Sequence, residues 1–188
     1  MIPSLPVFPY DVWGFEGENR VFSNFYRVPG GVVLDGERYP TVENAYQAAK
    51  TPPENFRAEF TLCSPAAAKE MGNRRPLRKD WSDVKLPTMW NLLLQKFAPG
   101  TEELHRLQET EVGSHLIEVN DWNDDFWGAV LEKGDPTRAV GKNYLGQMLV
   151  LIREGATGEL NHRKLVHQPR EFRLATNSTY LPLCIIPI

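Results

Sequence analysis

Glu43, Gln47 and Lys50 stand at i, i+4 and i+7 in the stretch Thr41 to Lys50, which is free of glycine and proline until Pro52-Pro53. A helix there would set a carboxylate, an amide and an amine on one face, with Tyr46 at its border. Such a row could transfer protons or hydrogen-bond a substrate. Glu43 falls in the first turn, where the positive end of the helix dipole favours an anion. A carboxylate so placed suits a base, a nucleophile or a stabiliser of developing positive charge better than a general acid. Breaking a bond between ribose C1′ and nitrogen builds oxocarbenium-like charge of that sort. Lys50 offers a second route, since an amine of lowered pKa can attack the C1 aldehyde of a ring-opened ribose and form a Schiff base. Lys69 and Lys85 are rivals for that role. The same spacing also fits an ordinary exposed helix with Glu and Lys on its wet side.

Three further segments carry reactive or ligand-binding side chains. Downstream of Glu118, the run Asn120-Asp121-Trp122-Asn123-Asp124-Asp125-Phe126-Trp127-Gly128 alternates acids and amides with large aromatics. A heterocycle could stack on the rings while a carboxylate holds water or a ribose hydroxyl, although a surface loop anchored by tryptophans reads the same way. Arg74-Arg75-Pro76-Leu77-Arg78-Lys79, followed by Asp80-Trp81 and Lys85, could grip a phosphate or diphosphate, or be a solvated loop between helices. Gly141-Lys142-Asn143-Tyr144-Leu145-Gly146 offers backbone N–H groups at a helix start, a possible anion site without a dinucleotide or P-loop fingerprint.

The elements that must position these groups are legible in outline. Short apolar runs at Val12-Trp13, Val32-Val33-Leu34 and Arg38-Tyr39-Pro40, with Asp35-Gly36 between the last two, predict short antiparallel strands and a hairpin. Thr41 is the predicted N-cap of the Glu43 helix. Ser64-Pro65 opens a second helix with Gly72 as its C-terminal cap. Met89, Leu92, Leu93 and Phe97 predict an inward helical stripe over Ser82 to Phe97, and Leu104 and Leu107 continue it over Thr101 to Glu109. Leu116-Ile117 suggests a strand, and Asn143 to Glu154 a closing helix with Leu145, Leu149 and Ile152 inward. The pattern fades after Gly155. The expectation is a helix-rich α+β fold: one domain over residues 1–154, with 155–188 an extension packed on it.

Length and composition agree. A chain of 188 residues with 41% apolar side chains can bury one sizeable core. Its net charge of -3 argues against broad, unselective duplex binding. Cys63 and Cys184 fit neither a metal spacing nor a disulfide framework and read as buried thiols in a reducing compartment. Ile2 to Tyr10 lacks the pattern of a secretory signal, and no run approaches the roughly 20 apolar residues of a membrane span. A cytoplasmic protein is expected. No cluster of His, Cys or carboxylates has ligand spacing, so chemistry without a metal or cofactor is expected too.

Taken together, these segments resemble the NADAR, or YbiA-like, family of N-glycosidases. The correspondence starts at Phe22-Ser23-Asn24-Phe25 and Asp35-Gly36. Its most specific block is Tyr39-Pro40-Thr41-Val42-Glu43-Asn44-Ala45-Tyr46-Gln47-Ala48-Ala49-Lys50. It continues through Ala68-Lys69 with Gly72, Arg78-Lys79-Asp80-Trp81 with Lys85, Leu116-Ile117-Glu118 and Asp124 with Phe126-Trp127-Gly128. It ends at Gly141-Lys142-Asn143, Leu145-Gly146 and Arg153. The resemblance implies an α+β domain with Glu43 catalytic. It further implies removal of ADP-ribose from guanine in DNA or nucleosides, or cleavage of phosphoribosyl intermediates of riboflavin synthesis. Beside Glu43, Lys50 and Asp124 are the expected catalytic residues: Lys50 to attack or orient C1, Asp124 to position water or ribose. Expected substrate contacts are Asn24, Phe25, Tyr46, Gln47, Lys69, Arg78, Trp81, Lys85, Glu118, Trp127 and Asn143. The chain departs from the family at Asn44, where relatives often have His, and in an extra residue between Glu118 and Trp127; both departures bear on the pocket. It also departs in a longer tail. The rival from another class is a module that binds ADP-ribose or nucleic acid without turnover.

Overall fold

The computed structural model describes residues 10–52 and 57–175, which form two compact units. Cys184 and the apolar tail at Leu181 to Pro187 lie outside the described residues.

The first unit comprises residues 22–105 and 156–160. Strand β2 (Arg27–Leu34) and strand β3 (Glu37–Thr41) form the expected antiparallel hairpin. Leu34 pairs with Glu37 across a two-residue turn, and Asp35 (φ 50°) with Gly36 (φ 83°) adopts the left-handed backbone such a turn requires. Helix α1 (Val42–Lys50) follows β3 without a break. A 3-10 turn (Arg57–Thr61), helix α2 (Pro65–Arg74) and helix α3 (Trp81–Lys96) pack around it. Ser64 caps α2 as expected, its Oγ accepting from Ala67 N at 3.2 Å. Gly72 is not its C-terminal cap: the helix continues to Arg74, and Gly72 is an interior residue with a packing role. Met89, Leu92, Leu93 and Phe97 are all buried, as the stripe predicts. Trp90 ties in the returning segment, its Nε1 donating to Gly158 O at 2.7 Å. Cys63 is half-buried rather than buried, and burial raises its thiol pKa.

The second unit comprises residues 10–21, 106–155 and 161–175. Strand β1 (Val12–Trp13) pairs with β4 (Leu116–Ile117) in parallel, so the expectation of an antiparallel partner for Val12-Trp13 fails. The partner lies a hundred residues downstream, beyond the reach of local pattern. A four-stranded sheet has the order β5 (Val119–Asn120), β6 (Ala129–Glu132), β7 (Asp135–Gly141), β8 (Arg170–Arg173). Its first pair is parallel and the other two antiparallel. The strand β8 gives order to part of the tail that the sequence pattern left unassigned. Helix α4 (Glu102–Gln108), whose first four residues belong to the first unit, buries Leu107 and half-buries Leu104. Helix α5 (Tyr144–Arg153) buries Leu145, Leu149 and Ile152, the predicted face. No helix among the described residues is long and apolar enough to cross a membrane.

Candidate active site

The helix α1 is fastened at both ends, which fixes its reactive face. Thr41 Oγ1 accepts from Asn44 N at 3.1 Å, the predicted N-cap. Glu43 N donates to Asn24 O at 3.0 Å, so the Phe22–Phe25 segment satisfies another of the helix's free N–H groups. At the other end Arg57 donates to Thr51 O through Nη2 (2.8 Å) and Nε (3.1 Å), and Arg78 N reaches Lys50 O at 3.1 Å. Asn44 is fully buried and its amide is bonded internally: its Nδ2 donates to Phe60 O (2.7 Å) and Cys63 O (2.9 Å). The departure from His at this position therefore alters an internal anchor.

Glu43, Gln47 and Lys50 form the row their spacing implies, buried at Glu43 and Gln47 and half-buried at Lys50. Glu43 is 7% exposed, and every residue of α1 except Lys50 is buried, which rules out the exposed-helix reading. Gln47 bridges the other two. Its Nε2 donates to Glu43 Oε1 at 2.8 Å, and its Oε1 accepts from Lys50 Nζ at 3.4 Å. Lys50 Nζ also donates to Asn73 Oδ1 at 2.8 Å. Burial lowers the pKa of Lys50 and the nearby Lys69 charge adds to the lowering, while Glu43 opposes it. The result raises the neutral-amine fraction that nucleophilic attack requires. Gly72 makes the row possible, because a Cβ there would overlap Gln47 Oε1 and lie 3.0 Å from its Cβ and Cδ.

Other predicted contacts gather on the same unit. The rings of Tyr46 and Trp81 meet with centroids 4.9 Å apart at 58°. Lys69 Nζ stands 5.9 Å from the centre of the Phe25 ring, and Lys85 is half-buried at the start of α3. Asn24 is buried, and its Oδ1 has no hydrogen-bond partner among the described residues. Arg78 is committed elsewhere: its Nε and Nη2 grip Asp80 at 2.6 and 2.8 Å, a pairing that raises its pKa. Arg74 pairs with Glu70 and Arg75 with Glu59, so each arginine of the expected phosphate-gripping segment already meets a carboxylate.

Two residues escaped the sequence reading. Asn73, on α2, was invisible because its partner lies on another helix. Lys96 is fully buried, with Nζ donating to Ser23 O at 2.8 Å beside the Tyr26 and Phe97 rings. It braces the turn that carries Asn24. The signal was present: Lys96 sits three and four residues after Leu93 and Leu92, on their inward stripe.

In the second unit Glu118, Asp124, Trp127 and Asn143 converge on one knot. Asn143, at φ 52°, accepts from Glu118 N through Oδ1 (3.0 Å) and donates to Leu116 O through Nδ2 (2.8 Å). Its amide is thus spent on the backbone rather than offered to a substrate. Asp124 Oδ1 accepts from Phe126 N (3.2 Å) and Trp127 N (2.9 Å), which shapes the loop that presents Trp127. The anion site expected at Gly141 to Gly146 is absent. Lys142, Asn143, Tyr144 and Leu145 donate their N–H groups to the carbonyls of Asp125, Gly128, Phe126 and Trp127. Gly146 is there for close packing, since a Cβ would collide with Leu116 O and the Asn143 amide. Among the described residues, no group of three His, Cys, Asp or Glu could hold a metal ion.

A buried carboxylate and amide in file with a half-buried amine on a doubly capped helix, inside an α+β fold, define a class that comparison with known proteins identifies. The chain belongs to the NADAR domain family, whose model matches residues 13–156. It is 38% identical over 136 residues to the Escherichia coli N-glycosidase YbiA, covering 71% of this chain and 79% of that one. The Nostoc punctiforme N-glycosidase Npun_R5314 is 32% identical over 156 residues, covering 80% and 92%. A Vibrio vulnificus riboflavin biosynthesis protein is 30% identical over 141 residues, covering 73% of this chain but 36% of its own length. The NMR structure of Escherichia coli YbiA superposes with a TM-score of 0.59 at 32% identity, covering 81% of this chain and 88% of that one.

Proposed function

We propose that this protein is an N-glycosidase that hydrolyses a ribose C1′–N bond, with ADP-ribose attached to guanine in DNA or nucleosides as its substrate. The observation that carries the reading is the buried Glu43 carboxylate, held by Gln47 in the first turn of α1, in a chain whose relatives are named N-glycosidases. As the C1′–N bond breaks, its electron pair leaves with nitrogen, and the carboxylate stabilises the ribosyl cation or takes the proton of the incoming water. Water supplies hydroxyl to C1′ and a proton to the departing nitrogen. Lys50, with its lowered pKa, orients C1 or attacks it in the ring-opened sugar. The test is Glu43→Gln, which keeps the hydrogen-bonding shape and removes the charge. Turnover should fall about 10²–10⁴-fold with the circular dichroism spectrum of the folded protein unchanged. Normal turnover in that variant would remove Glu43 from the mechanism.

The names of the Vibrio vulnificus and Arabidopsis thaliana relatives favour a second substrate, a phosphoribosylaminopyrimidine intermediate of riboflavin synthesis. Assaying both substrates side by side discriminates the two by which one yields free base. Stoichiometric binding of either without product would instead support a non-catalytic binding module.

A further inference from the structure

Six arginines fall within residues 22–105: Arg27, Arg38, Arg57, Arg74, Arg75 and Arg78. The last four pair with Asp35, Glu70, Glu59 and Asp80 respectively. Among the described residues Arg27 and Arg38 pair with no carboxylate, and both line one cleft of about 550 Å³ on the β2–β3 hairpin. Among the described residues, no carboxylate lines that cleft.

The cleft is made by the backbone. Arg27 pairs with Thr41 and Val32 with Tyr39, so Val28 to Gly31 stand opposite Pro40 alone and the strand swings outward. Gly30 (φ 75°) and Gly31 (φ 71°) supply the left-handed conformation this bulge needs. Gly31 also seats Arg38: a Cβ there would lie 3.0 Å from Arg38 Cγ and overlap Tyr39 O. The side-chain stem rests on the glycine, and the guanidinium donates to Gly30 O through Nη1, which leaves its other N–H donors uncommitted among the described residues. Two guanidinium groups without acidic partners, in a cleft of ordinary ligand size, are matched to an anion of planar or tetrahedral oxygens.

We propose that the cleft on the β2–β3 hairpin is a phosphate site, in which Arg27 and Arg38 bind a phosphate ester. The ester could belong to a small phosphoribosyl molecule or to a nucleic-acid strand; the binding chemistry is the same. Arg27 stands across the hairpin from Thr41, the N-cap of the helix that bears Glu43, so the phosphate would dock at the strand end leading into that helix. The proposal goes beyond the glycosidase reading and is tested by binding alone, so failure of either leaves the other standing.

The full chain is titrated by calorimetry with inorganic pyrophosphate and with a short single-stranded oligonucleotide, beside the double variant Arg27→Gln/Arg38→Gln. The variant should weaken binding tenfold or more. Loss confined to pyrophosphate identifies a small-molecule site. Loss for the oligonucleotide, with the slope of log K against log salt flattened by about 1.4 for two contacts, identifies a strand site. Wild type binding neither probe, or a variant binding both as wild type does, overturns the proposal. If the variant melts early, amide shifts of the wild type with pyrophosphate decide: changes centred on residues 27–31 and 38 uphold the site, and changes elsewhere overturn it.

Discussion

Gly72→Ala isolates the contact on which the reactive row depends. Taken as a helix-interior substitution, it should stabilise by about 0.8–1 kcal/mol through helix propensity alone. The structure opposes this, because the new methyl would occupy the position of Gln47 Oε1 and crowd its Cβ and Cδ. Gln47 must rotate away and release Glu43 Oε1, a charge-assisted bond of about 1.5–3 kcal/mol. The difference is a net destabilisation of about 0.5–2 kcal/mol, read by urea denaturation. Turnover should fall about tenfold or more, the equivalent of about 1.4 kcal/mol of barrier, as Glu43 loses its orienting partner. The decisive measurement repeats Gly72→Ala in a Gln47→Ala background. With the amide gone only the 3.0 Å approach to the Cβ of residue 47 remains, so the cost of alanine at 72 should shrink toward zero as helix propensity offsets it. An equal cost in both backgrounds, or no cost in either, would refute the claim that this glycine exists to seat Gln47.

Borohydride reduction in the presence of a ribosyl substrate, followed by mass spectrometry, should place an adduct on Lys50. Because the pKa of Lys50 is lowered and only the neutral amine attacks, its yield should rise with pH and reach half-maximum below 10.5; an adduct on Lys69 or Lys85, or on no lysine, would leave Lys50 an electrostatic role. Asn143→Ala should destabilise by about 2–4 kcal/mol, since it orphans Glu118 N and Leu116 O and forces alanine into a left-handed backbone; a melting temperature within a degree or so of wild type would contradict this. Arg57→Gln should cost about 1–3 kcal/mol through the lost bonds to Thr51 O at the end of α1. Asp35→Asn, which removes the exposed partner of Arg57, should cost under about 1 kcal/mol, and the reverse ranking would show that the ion pair, not the capping, holds Arg57.

Local rules made much of the first unit legible before any coordinates. The Asp35-Gly36 turn, the Thr41 and Ser64 caps and the α1 face are each decided within a few residues, by backbone sterics and hydrogen bonds between near neighbours. The order Glu43, Gln47, Lys50 follows from helical period alone, so the chain itself determined that these three groups would stand in file. Burial is another matter. It depends on α2 and α3 closing over α1, and no spacing within Thr41 to Lys50 could distinguish a wet carboxylate from one 7% exposed. Gly72 read as a helix terminator and proved to be a contact surface, because its neighbour lies 25 residues earlier in the chain. Arg78 and Asn143 carried the right chemistry for a ligand and spend it on Asp80 and on the backbone. A polar side chain's partner is chosen by three-dimensional distance, which the one-dimensional sequence does not encode. Type and periodicity thus came from the chain alone. Which groups are buried, which are already bonded and which remain free was decided only by tertiary packing.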